Sequence, residues 1–134
     1  SPAPTKEKKM IVNLTPHDVA IYNVSDCILN NGRLYLHEKA DMEYPEPLRV
    51  YPAAKEPARV HFVQGDPGMA DGVLVYRWTP YGITGLPEPK TGTYCIVSKI
   101  LAQECPERED LIFPGTLVYD AEDNVVGCID FSRV

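Results

Sequence analysis

Thr93-Tyr94-Cys95-Ile96-Val97-Ser98-Lys99-Ile100-Leu101-Ala102-Gln103-Glu104-Cys105-Pro106 changes character halfway along. Its first six residues are apolar and β-prone and follow a Thr91-Gly92 break, so the pattern predicts a central strand. Ser98 is a residue type that caps helices, helix formers run from Lys99 to Glu104, and Pro106 ends them, which leaves room for about two turns. No other stretch predicts a helix.

Working outward, the remaining signals are all those of strands and turns. Thr116 to Tyr119 and Val125 to Asp130 flank the polar run Asp120-Ala121-Glu122-Asp123-Asn124 and predict a closing hairpin. Upstream, Arg59-Val60-His61-Phe62-Val63, closed by Gly65-Asp66-Pro67-Gly68, and Val73-Leu74-Val75-Tyr76-Arg77-Trp78, running on towards Tyr81, predict an antiparallel hairpin. Arg33-Leu34-Tyr35-Leu36-His37 alternates polar and apolar after an Asn30-Asn31-Gly32 turn, with Leu34 and Leu36 facing the core. Met10 to Leu14 and Val19 to Tyr22 are short runs either side of Thr15-Pro16-His17-Asp18, where Pro16 has no amide to give a ladder. Pro45, Pro47, Pro52 and Pro57, with acidic residues among them, make the stretch from Met42 to Pro57 an extended surface loop. The predicted fold is mainly β: a small antiparallel barrel or sandwich-like sheet with one short helix. Residues 10–134 are read as a single globular β-rich domain and residues 1–9 as a flexible leader or an appended linker.

Composition limits the function. At 134 residues, 44% hydrophobic and 24% charged, the chain has the balance of one folded domain with one core. The 13 prolines exceed an average share of about 5% and favour short strands and turns. A formal net charge of −6 lacks the clustered Lys and Arg of a nucleic-acid footprint, and the run Lys6, Lys8, Lys9 reads as a solvated arm. No apolar run approaches a membrane span and no signal-peptide layout is present, so a cytoplasmic, non-membrane protein is expected. On that reading the formal glycosylation sequons at Asn13 and Asn23 carry nothing. Cys27, Cys95, Cys105 and Cys128 form no CxxC spacing; free, mostly buried thiols are expected, with no metal and no cofactor.

Asn13-Leu14-Thr15-Pro16-His17, Tyr81-Gly82, Gly85-Leu86-Pro87-Glu88-Pro89, the strand and helix from Tyr94 to Ala102, Arg108-x-Asp110-Leu111, Pro114-Gly115 and Gly127-Cys128 form one set of landmarks. Together they resemble an uncharacterised family of small proteins of bacterial genomes and their phages, over residues 10–23 and 81–128. The stretch 25–69 is longer than the resemblance implies, and Tyr119 stands where its pattern places an Arg before Asp120. The resemblance implies a compact β-rich domain, of mobile-element origin, and carries no functional residue over.

Several residue groups bear chemistry. Thr15-Pro16-His17-Asp18 puts a hydroxyl, an imidazole and a carboxylate into one turn, where His17 is a candidate acid or base and Asp18 its orienter; the bland reading makes them turn-builders. Arg108 and Asp110 precede the apolar Leu111-Ile112-Phe113, so Arg108 is a candidate bidentate anion binder, against an ordinary ion pair. Tyr76, Trp78 and Tyr81 form a candidate stacking surface, against simple packing. Cys105 or Cys128 beside His17 would make a thiolate nucleophile, against a buried inert thiol. Glycine spacing excludes a phosphate-binding loop, and no serine triad can be assigned. His37 and His61 read as strand residues.

Three functions follow. The first is a binding module in which Thr15, His17, Asp18, Tyr81, Arg108 and Asp110 hold a small polar or nucleotide-like ligand or a host protein without turning it over. The second is a small hydrolase or transferase with His17 as acid or base and Arg108 stabilising negative charge. The third is a structural or assembly protein, a homo-oligomer with the proline-rich loop as contact surface.

Overall fold

The computed structural model describes residues 9–38 and 43–134; the predicted leader, apart from Lys9, and residues 39–42 lie outside the described residues. Twelve strands and one α-helix follow in order: β1 (Met10–Asn13), β2 (Val19–Ile21), β3 (Cys27–Asn30), β4 (Arg33–Leu36), β5 (Arg49–Tyr51), β6 (Arg59–Ala70), β7 (Val73–Thr84), β8 (Thr93–Ile96), α1 (Lys99–Glu104), β9 (Leu111–Pro114), β10 (Leu117–Tyr119), β11 (Val125–Cys128) and β12 (Phe131–Ser132). A four-stranded sheet runs β1-β8-β9-β12, a six-stranded sheet runs β3-β4-β10-β11-β2-β5, and β6 with β7 makes a separate two-stranded ribbon.

The mainly β reading holds, in its sandwich-like form; no closed barrel is formed among the described residues. The sheets are mixed, because β1–β8, β8–β9, β4–β10 and β2–β11 pair in parallel. A parallel pair needs a crossover connection, and α1 supplies it between β8 and β9. Ser98 caps α1 as the sequence predicts, its Oγ accepting from the Leu101 amide at 3.2 Å. β8 is the strand on which the layers meet. Cys95 and Val97 point to one side, with Leu101, Ala102, Cys105 and Leu111, and the root of the ribbon packs there through Ala58, Val60 and Ile83. Ile96 points to the other side, with Val19, Ile112 and Cys128, against Ile21, Tyr51, Leu117 and Phe131. This two-residue alternation on one buried strand gives the body a core on both of its faces.

Three local expectations are corrected. The stretch from Met42 to Pro57 is not loop throughout: β5 lies within it and pairs with β2 at the edge of the six-stranded sheet. An edge strand needs its amides on one side only, so Pro47 and Pro52 flank β5 without breaking a ladder. Gly65-Asp66-Pro67-Gly68 does not close the first strand of the central hairpin. The register passes from Gln64↔Trp78 to Pro67↔Tyr76, so Gly65 and Asp66 form a bulge and the strand continues to Ala70. The turn is Asp71-Gly72, with φ of 54° and 79°, the left-handed pair that a two-residue hairpin turn requires. Finally, the apolar run Leu111 to Phe113, for which no strand is predicted, is part of β9, hydrogen-bonded between β8 and β12.

Candidate functional site

Asn13 is the only polar residue buried in the core among the described residues, and its amide explains the shape of the turn that follows. Its Oδ1 accepts from the Thr15 amide at 2.9 Å and from the Thr15 hydroxyl at 2.7 Å. Its Nδ2 donates to the carbonyls of His17 at 2.8 Å and of Tyr51 at 3.0 Å. Four hydrogen bonds fully occupy one side chain and tie β1, the turn and β5 together. Asp18 adds a fifth tie, its Oδ1 accepting from the Ala53 amide at 2.8 Å. Thr15 and Asp18 are thus turn-builders. The His17 ring is exposed and has no hydrogen-bond partner among the described residues.

This turn forms one wall of a groove of about 740 Å³. The root of the ribbon, Ala58 to Val60 and Phe62, adjoins the turn through the Ala58 amide's bond to the Leu14 carbonyl and lines the same groove, together with Val97 to Ile100, Phe113, Pro114, Leu117 and β11. Thr15, His17 and Asp18 therefore do line a concave site of ligand-binding size. Its lining is mainly apolar, with two cations, Arg59 and Lys99, the latter 6.0 Å above the Phe113 ring, and one carboxylate, Asp18. Gly127, in the lining, runs so close to β2 that a Cβ there would collide with the Ala20 carbonyl and sit 2.8 Å from the Tyr22 ring. Only glycine fits.

The other predicted site residues stand elsewhere. Arg108 donates through Nε and Nη2 to both oxygens of Asp110, each at 2.8 Å, and Nη2 also reaches the Pro87 carbonyl at 3.1 Å. Both side chains are largely withdrawn from solvent, and neither lines the groove. The guanidinium hydrogen bond holds the Asp110 carboxyl below its ordinary value. The fork is thus spent on an internal pair that staples the loop before β8 to the loop after α1. Tyr81 lines a separate hollow of about 230 Å³ with Pro80, Gly82 and Glu104, its ring 6.0 Å from that of His61. His61 in turn shares a 2.7 Å hydrogen bond with the Thr84 hydroxyl.

Tyr76 and Trp78 lie further out, on the ribbon itself. Cross-strand partners share a face, and the register pairs Phe62 with Pro80, Gln64 with Trp78, Pro67 with Tyr76 and Met69 with Leu74. One face of the ribbon is therefore almost entirely apolar and aromatic. The other face carries Val63, Val73 and Val75 beside Arg77 and Thr79. Nothing covers either face over most of its length: Phe62, Val63, Met69, Val73, Leu74, Val75, Tyr76, Trp78 and Tyr81 are between 37% and 68% exposed. The separate strand signals pointed to a hairpin; its length and its projection followed only from the moved turn.

The thiols are all free, and Cys95, Cys105 and Cys128 are buried. Burial pushes the Cys128 thiol up to about 11 and raises that of Cys105, the opposite of what a nucleophile needs. Among the described residues no metal-ligating cluster is present and no helix is long and apolar enough to cross a membrane. Comparisons with protein-family models, with curated proteins and with solved structures find no match to this chain.

Proposed function

We propose that this chain is a structural, self-associating module whose contact device is the β6–β7 arm. One observation carries the reading: nine apolar side chains stand exposed on a two-stranded ribbon that, beyond its root, is not covered by any of the described residues. An isolated two-stranded ribbon is at best marginally stable in water. At roughly 150–250 Å² for an aromatic side chain and less for an aliphatic one, nine such residues leave on the order of 900 Å² exposed. Five of the nine, Phe62, Met69, Leu74, Tyr76 and Trp78, share one face and hold more than half of that area, comparable with the largest apolar patches monomers expose; a stable interface takes about 800 Å² from each partner and would draw on both faces. A second copy of the chain is the partner always present at the arm's own concentration.

The catalytic reading has less support. A hydrolase built on His17 needs a group that orients the imidazole and another that meets developing negative charge. Lys99 and Arg59 line the groove and are placed to meet negative charge, but Asp18, the carboxylate beside His17, is engaged with the Ala53 amide, and Arg108 is engaged with Asp110 outside the groove. Native mass spectrometry at about 50 µM, well above the micromolar Kd of even a weak interface of this size, tests the proposal. Oligomers are expected for the native chain, and monomers for Trp78→Ser combined with Leu74→Ser. A native chain that is monomeric throughout this range overturns it.

A further inference from the structure

The arm and the groove meet at one place. Arg59, Val60 and Phe62 are at once the root of β6 and a wall of the groove. From Phe62, the outermost of these, nine residues at about 3.3 Å each carry the Asp71 turn some 25–30 Å away. The tip therefore lies most of an arm's length from its own groove, and the paired strands on either side of the bulge hold it there. It is nonetheless matched to a groove of this kind. Met69 and Leu74 form a cross-strand pair beside the Asp71-Gly72 turn, both more than half exposed. They present a blunt apolar end carrying one carboxylate. The groove offers an apolar lining, with Ile100 more than half exposed, and its cations are Lys99 and Arg59. Its one carboxylate, Asp18, already accepts a backbone amide. Charge and polarity are complementary between the two surfaces.

We propose that the groove beside His17 is the receptor for the arm tip of a second copy of this chain, with Met69 and Leu74 seated against its apolar lining and Asp71 meeting Lys99. The proposal rests on the self-association reading and deepens it, by naming the surface to which the arm binds. Donor and receptor are different patches, so the contact is heterologous. Each copy gives one tip and accepts one, and the assembly closes as a ring or extends as a filament.

Complementation by mixing tests this. A tip-defective chain, Met69→Ser with Leu74→Ser, and a groove-defective chain, Ile100→Asp, are each made in full length and checked for unchanged thermal melting. Each alone is expected to be monomeric by native mass spectrometry at about 50 µM, where an interface of ordinary size is saturated. Mixed in equal amounts they are expected to give a one-to-one dimer and nothing larger, because one sound tip and one sound groove remain between them. Asp71→Lys alone should weaken assembly by tenfold or more, and Asp71→Lys with Lys99→Glu in one chain should recover most of it. If the native chain and the Ile100→Asp chain both assemble while the tip-defective chain does not, the groove is not the receptor, and self-association through the arm stands by another contact. Monomeric single variants that fail to pair on mixing likewise overturn the groove proposal. A monomeric native chain overturns both, and a small-molecule mass retained by that monomer and lost in Ile100→Asp assigns the groove to a ligand instead.

Discussion

Leu101 in the short helix and Leu74 in the arm are the same side chain in two regions of one molecule. The first is fully buried among Cys95, Val97 and Leu111; the second is 55% exposed on a ribbon with no layer above it. The body spends its apolar residues on cohesion, stacking two sheets and a helix so that β8 is covered on both sides. The arm holds apolar residues in reserve. Two strands with a bulge at Gly65-Asp66 supply direction and length but no core, and among the described residues no layer packs over most of the arm's apolar surface.

The sharpest way to break this contrast is to make the same substitution in both regions. Leu101→Ala removes packed atoms from a closed site and is expected to cost about 3 kcal/mol, lowering the melting temperature by roughly 10–15 °C. Leu74→Ala, in dilute protein where association is absent, is expected to change unfolding by less than about 0.5 kcal/mol. Denaturant titration of both variants checks this, and equal losses would mean that the arm is packed against its own body.

A smaller effect is expected at Asn13. Asn13→Ala leaves the Thr15 amide and two carbonyls without their partner in a partly buried turn, at a cost of about 2–3 kcal/mol. Because the same bonds shape the groove wall but not the arm, hydrogen exchange should quicken at Thr15 and Ala54 and stay unchanged at Val75.

Next comes the Arg108–Asp110 pair. The Asp110 carboxyl lies below its ordinary value in the folded chain, so its contribution is present above the unfolded value of about 3.9 and is lost as pH falls through the folded value. Acid unfolding of the native chain should therefore steepen below about pH 4, and Asp110→Asn should flatten that part of the curve. The smallest effect expected within the body is at the helix cap: Ser98→Ala removes the bond to the Leu101 amide and should cost about 1 kcal/mol in chemical denaturation.

What could be read in the sequence divides along the same line. The body's helix was legible to the residue because cap, helix formers and terminating proline are adjacent, and local signals settle local structure. The closing hairpin around the polar run 120–124 was legible for the same reason, whereas at Asn30-Asn31-Gly32 only the strand after the turn was read and β3 before it was missed. β5 was hidden because three residues between prolines look like loop, and only the β2 edge makes them a strand. Gly65 and Pro67 drew the turn to the wrong place, since glycine and proline mark bulges as readily as turns. In the candidate site, Thr15, His17 and Asp18 were found through their grouping in one turn. Asn13 was passed over, although an Asn two residues before a Thr is itself an Asx-turn signal. Arg108 and Asp110 were identified as a pair, but whether a guanidinium points at a ligand or at its own neighbour is decided by the fold around it. The arm's importance was illegible because exposure is not a property of a sequence: Val73 to Trp78 reads as a core strand until the structure shows that nothing covers it.

The register carries a further consequence, for the order in which a chain is made. β1 has no partner until β8 has been synthesised, and β2 has none in β11 until Cys128 is in place, almost at the end. The arm is the reverse: its strands are contiguous and joined by a two-residue turn, and hairpins of that kind close within microseconds. A growing chain therefore displays an exposed apolar ribbon while β1 and β2 still lack these partners, the circumstance in which partly made proteins cross-associate. The arm's own charges, Arg59 and Arg77 against Asp66 and Asp71, balance, so they give neighbouring nascent arms no net repulsion.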